Sequence, residues 1–87
     1  MSTKIKNPRI RQHAVESLRL ATETAEIDPF QTLEILTELV YYYEEKAAKL
    51  QDFFQDEDLA NYQRDLTILC RAFRRKIKNV LSHNKVN

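Results

Sequence analysis

Residues 33–54 read LEILTELVYYYEEKAAKLQDFF, and their periodicity decides the fold. Leu33, Leu36, Val40, Tyr43, Ala47, Leu50 and Phe54 recur at alternating intervals of three and four residues. On a helix of about 3.6 residues per turn, that spacing draws one continuous apolar seam of the coiled-coil kind. The same rotation separates the three consecutive tyrosines, because neighbouring side chains point about 100° apart. Tyr43 belongs to the seam. Tyr42 falls on a second stripe with Ile35, Leu39 and Phe53, where another helix can dock, and Tyr41 falls on the remaining face with Glu34, Glu38, Glu45 and Asp52, open to solvent in a single subunit.

A matching seam follows. Leu59, Tyr62, Leu66, Leu69, Phe73, Ile77 and Val80 repeat at nearly the same spacing, and the acidic run Asp56, Glu57 and Asp58 before them suits a turn and the negatively favoured first turn of a helix. A connection this short between two long helices makes them antiparallel. Laid against each other from the turn outward, Leu50 meets Tyr62, Ala47 meets Leu66, Tyr43 meets Leu69, Val40 meets Phe73, Leu36 meets Ile77 and Leu33 meets Val80. Large residues often oppose smaller ones, an agreement between two independent patterns that supports the hairpin more than either seam alone.

Upstream, Asn7 before Pro8 and Asp28 before Pro29 each place a capping side chain ahead of a proline whose fixed φ and missing N–H suit the first helical turn. Gln31 takes the third helical position of a capping box and Ile27 stands where a hydrophobic staple would sit. The first helix carries the stripe Ile10, Ala14, Leu18, Ala21 and Ala25, which is largely alanine and so the least adhesive of the three. The expectation is an all-α three-helix bundle built on a long antiparallel hairpin, with helices over residues 8–26, 29–54 and 57–82. A flexible basic arm over residues 1–7 and a flexible tail over residues 83–87 flank the single domain at 8–82. In outline the hairpin is similar to small plasmid regulators that dimerise into a four-helix bundle and bind RNA; the likeness is architectural and involves no shared motif.

Composition agrees. The chain has 87 residues, no glycine, two prolines and one cysteine, Cys70, which excludes a glycine-rich phosphate loop, an intrachain disulfide and a paired-cysteine metal knuckle. The longest apolar run, Leu39 to Tyr43, is far shorter than a membrane span, and the basic start MSTKIKNPRIRQH has no apolar block behind it. A cytoplasmic protein with no membrane association is expected.

Charge is where the sequence becomes distinctive. The net charge is +1, yet residues 1–27 carry five basic and three acidic side chains, residues 28–58 two and nine, and residues 59–87 seven and one. The hairpin therefore has an acidic back, Glu34, Glu38, Glu45 and Tyr41, and a basic back, Arg64, Arg71, Arg75 and Lys78, with Arg74 and Lys76 to either side. These two rows are the candidate partner-binding residues. Complementary faces on one chain favour self-association by steering encounter and fixing register, so a homodimer or larger homo-oligomer is expected, with a protein partner as the other occupant. The alternative is a nucleic-acid-binding regulator using Arg71, Arg74, Arg75, Lys76 and Lys78, with the arm cations Lys4, Lys6, Arg9 and Arg11 able to follow a phosphate backbone.

Catalysis finds little footing. His13 and His83 lie near opposite ends without ligand-spaced partners, Cys70 sits beside the seam as a small hydrophobe, and the carboxylates at Glu44–Glu45 and Asp56–Asp58 are adjacent rather than alternating as a calcium loop requires. No enzymatic activity, catalytic residue, metal, cofactor or small-molecule substrate is expected.

Overall fold

The computed structural model describes residues 4–84. Among them the chain is all-α: helix α1 spans Pro8–Ile27, α2 Pro29–Lys49 and α3 Glu57–Asn84, with a single 3₁₀ turn at Gln51–Phe53. The helices pack as an elongated bundle of 49 × 21 × 21 Å, in which α2 and α3 form the antiparallel hairpin and α1 lies in the groove along one side of it.

Both proline-led starts behave as their sequences require. Asn7 Oδ1 accepts the N–H groups of Arg9 and Ile10 at 2.9 and 3.3 Å, and Asp28 Oδ1 accepts that of Gln31 at 3.0 Å. Asp28 alone separates α1 from α2: its own N–H donates to Thr24 O at 2.7 Å, closing the first helix, while its carboxylate opens the second. Ile27 makes no staple and lies exposed. No residue in the described chain has positive φ, so the reversals are made without the backbone freedom of glycine.

The hairpin seam is the core. Leu36, Val40, Ala47, Leu66, Leu69, Phe73 and Val80 are buried, and Tyr43, Leu50, Tyr62 and Ile77 pack half-buried against them. From α1, Ile10, Ala14 and Ala21 join the same cluster, with Leu18 alongside. Off its stripe, Val15 is exposed.

One expectation about the hairpin is corrected. The second helix ends at Lys49, not at residue 54, and Phe54 is 69% exposed, outside the seam. The reason lies in the cap of α3. Asp56 Oδ1 accepts the N–H groups of Asp58 and Leu59 at 3.0 and 3.2 Å, which fixes the start of α3 and leaves only residues 50–56 to reverse the chain. The last turn of α2 is spent on that reversal through tightened bonds from Leu50 N to Ala47 O and from Phe53 N to Leu50 O, while Gln63 Nε2 reaches across to Ala47 O at 3.0 Å. The docking of α1 on the second stripe of α2 is met in part: α1 lies over Leu39 and the edge of Ile35, while Tyr42, Ile35 and Phe53 each keep about half of their surface exposed. The alanines of α1 let its backbone settle closer to the hairpin seam, against Thr32, Leu36, Leu39 and Tyr43 and against Phe73 and Val80 of α3.

The chain before α1 is docked. Ile5 is buried in the core cluster, and Asp65 of α3, only 2% exposed, accepts the N–H of Lys6 on Oδ1 at 3.1 Å and that of Asn7 on Oδ2 at 2.9 Å. Arg11 Nε donates to Ile5 O at 3.1 Å. The arm anticipated over residues 1–7 is thereby narrowed, since residues 5–7 are tied to α3; residues 1–3, and 85–87 of the tail, lie outside the described chain, and His83 belongs to α3.

Candidate interaction surface

The outward faces of the hairpin follow from the seam. With Leu36, Val40, Tyr43 and Ala47 inward, the positions about 140–180° away on α2 are Glu34, Glu38, Tyr41 and Glu45, and all four are exposed, Tyr41 at 68%. On α3, Arg71, Arg75 and Lys78 are exposed opposite Leu69 and Phe73. No ion pair within the described chain engages these three cations.

Other members of the basic set have different duties. Arg64 is half-buried, its Nη1 lying 3.4 Å from Asp65 Oδ1 and its Nη2 donating to Lys4 O at 3.4 Å, so it belongs to the N-terminal clasp. Arg74 pairs with Glu44 across the hairpin. Lys76 turns toward α1 and is half-buried beside a groove lined by Thr22, Ala25, Glu26 and Val80. Of the five cations named for the alternative nucleic-acid reading, the geometry leaves Arg71, Arg75 and Lys78 together on the open back.

Sequence reasoning missed the role of Asp65. It did carry a signal, as the lone acidic residue among the seven cations of residues 59–87 and adjacent to the seam residue Leu66. His13, whose sequence neighbours offer no ligand-spaced partner, has its Nε2 hydrogen-bonded to Tyr43 Oη at 2.9 Å and its ring edge-on to Phe73. The two histidines stay apart, and among the described residues no three His, Cys, Asp or Glu side chains converge as a metal-ligand group would. No described helix is long and apolar enough to cross a membrane.

Burial also sets the acid–base behaviour of the seam. The Cys70 thiol, buried and in contact with Val40 O at 3.8 Å, is pushed above its ordinary value of 9.0 by desolvation. Desolvation first, and then the neighbouring Tyr42, hold the Tyr43 phenol above 10.0. Both groups ionise more readily in the unfolded chain, so their contribution to stability is complete below those ordinary values and is lost as pH rises from them through the raised values of the folded chain. The urea midpoint is accordingly expected to fall as pH rises above the ordinary value of 9.0, and the Cys70 thiol to react with a disulfide reagent more slowly folded than unfolded. An unchanged midpoint, or equal thiol reactivity, would contradict this placement of the two groups.

Comparison of the chain with protein-family models, with curated proteins and with solved structures finds no match. The functional reading therefore rests on the surface itself.

Proposed function

We propose that the chain is a non-enzymatic interaction or regulatory module whose partner is a protein, engaged through the acidic row Glu34, Glu38 and Glu45 with Tyr41, and through the basic row Arg71, Arg75 and Lys78. One observation carries the reading: the two rows lie on opposite backs of a single hairpin, exposed and without ion pairs among the described residues, and beside them are large exposed side chains, Phe30 at 81% and Tyr41. Exposed aromatics of this kind anchor interfaces when buried, and flanking charges set encounter rate and orientation.

The second reading, a nucleic-acid-binding regulator, is favoured by the open trio Arg71, Arg75 and Lys78. Its footprint is small. Three phosphate contacts give a slope of log affinity against log salt of only about −2.7 on duplex DNA, and Arg74 is already committed to Glu44.

A tagged chain used as bait in its native host, with and without nuclease, separates the two. Under the protein reading, capture survives nuclease and is lost when Glu34, Glu38 and Glu45 are changed together to lysine. Capture abolished by nuclease and by Arg71, Arg75 and Lys78 changed to glutamine would replace it with the nucleic-acid reading.

A further inference from the structure

The α2–α3 hairpin has two broad sides, and α1 covers only one. The middle of the other side is lined by Ala48 on α2 and by Thr67 and Cys70 on α3, with the Glu44–Arg74 pair bridging it; helical rotation puts Phe30 and Tyr41 on the same side of α2 and Leu81 on the same side of α3. At about 100° per residue, Phe30 lies some 120° from Leu36 on α2 and Leu81 some 120° from Leu69 on α3, both rotated away from α1. Phe30, Tyr41 and Leu81 are exposed there. A side that carries these exposed side chains has several conceivable occupants, and the charges select among them.

Resting on the proposed function above, we infer that this face is occupied by a second copy of the chain, related by a two-fold axis parallel to the helices, so that α2 of each copy packs antiparallel against α3 of the other. The intrachain register supplies the argument. Gln63 stands beside Ala47, Cys70 beside Val40 and Phe73 beside Tyr43. Following those pairs along both helices sets Phe30 level with Leu81, Glu34 level with Lys78 and Glu38 level with Arg75, each to within about one turn.

A two-fold axis along the helices preserves levels. Glu34 and Glu38 of one copy then meet Lys78 and Arg75 of the other at the rim, twice over by symmetry, and each Phe30 meets a Leu81. The axis perpendicular to the helices and lying in the plane of the face does the opposite. It stacks α2 on α2 and α3 on α3, opposing an acidic segment with nine acids and two bases by its own duplicate, and a basic one likewise. Like charges opposed in this way are penalised. Self-pairing through the first axis is the arrangement in which one chain satisfies both of its rows at once, leaving a nearly neutral whole. The Glu44–Arg74 pair enters the interface already neutralised, so its burial strands no lone charge.

The result is a four-helix centre, antiparallel between all neighbours, with an α1 on each outer side. The test is the mass of the full chain by sedimentation equilibrium from about 5 to 500 µM. The expected outcome is a dimer. E38R and R75E should each weaken it at least about tenfold, and the same-chain swap E38R/R75E should restore it to within about threefold, because both interchain pairs are then re-formed with reversed sense. F30D should weaken it as well, with its fold checked by circular dichroism, because Phe30 is exposed in the single chain. A wild-type mass of one chain throughout, single reversals without effect, or a folded swap that fails to recover the dimer would each overturn the arrangement. The outcomes are separable from those of the proposed function. A monomer that still captures a protein after nuclease refutes self-pairing alone, whereas an intact dimer that captures only nucleic acid refutes the protein-partner reading alone.

Discussion

Phe73→Ala is expected to destabilise the chain by about 3–5 kcal/mol, the range for truncating a fully buried phenylalanine. Phe73 is 0% exposed and is the residue on which all three helices converge: His13 of α1 stands edge-on to its ring at 6.4 Å, Tyr43 of α2 tilts against it at 6.3 Å, and Leu66 and Leu69 of its own helix are buried in the same cluster. Its loss removes the transfer energy of the ring and leaves a cavity that rigid helices cannot collapse to fill. For a chain of this length the whole stability is of order 4–13 kcal/mol, so Phe73→Ala consumes a large part of it. Phe73→Leu should cost markedly less, because most of the volume remains. Urea unfolding followed by far-ultraviolet circular dichroism decides the matter: a shift below about 1 kcal/mol for the alanine variant would show that the centre of the core lies elsewhere.

The second large effect is expected at Asp65→Ala, about 2 kcal/mol, from a different mechanism. The Asp65 carboxylate satisfies two successive backbone N–H groups, those of the α1 cap residue Asn7 and of Lys6 before it. Removing it strands both donors in a partly buried place, each costing more than the net worth of the bond lost. Asp65→Asn is expected to fall between alanine and wild type, since an amide retains one acceptor and turns an N–H toward the other donor. The effect should be local as well as global. Amide hydrogen exchange at residues 5–10 should accelerate before the hairpin amides respond. Uniform acceleration along the whole chain, or a stability change under about 0.5 kcal/mol, would show that the clasp contributes nothing separate.

Most of the architecture was legible in the sequence, because its determinants are local or periodic. The two proline-led caps need only four consecutive residues each, and the seams need only the repeat of three and four. What was illegible depended on which of two compatible local structures the rest of the chain selects. Residues 50–54 carry a periodic pattern that continues the helix, and they give it up because Asp56 caps α3 and the chain must turn first. The docking of α1 was legible in part: the stripe of Ile35 and Leu39 receives it, and the share that falls on the seam residue Leu36 depends on how closely the alanines of α1 approach. Asp65 illustrates the limit best. Its partners are backbone groups 58 and 59 residues away in sequence, and a main-chain N–H leaves no imprint on residue identity. The surface rows were legible as a set, but the division of the cations among the clasp, the Glu44 pair and the open back required side-chain positions.

The one-residue junction at Asp28 governs how this fold can open. A helix joined through a long loop can peel off as an independent piece. Here Asp28 terminates α1 with its N–H and starts α2 with its carboxylate, so α1 is a blade pivoted at its C-terminal end, and its far end is fastened by residues 5–7. Any excursion of α1 therefore begins at the Asp65 fastening and swings about Asp28, exposing the buried side of Tyr43 and Phe73 at the tip of the arc while the material near the pivot stays covered.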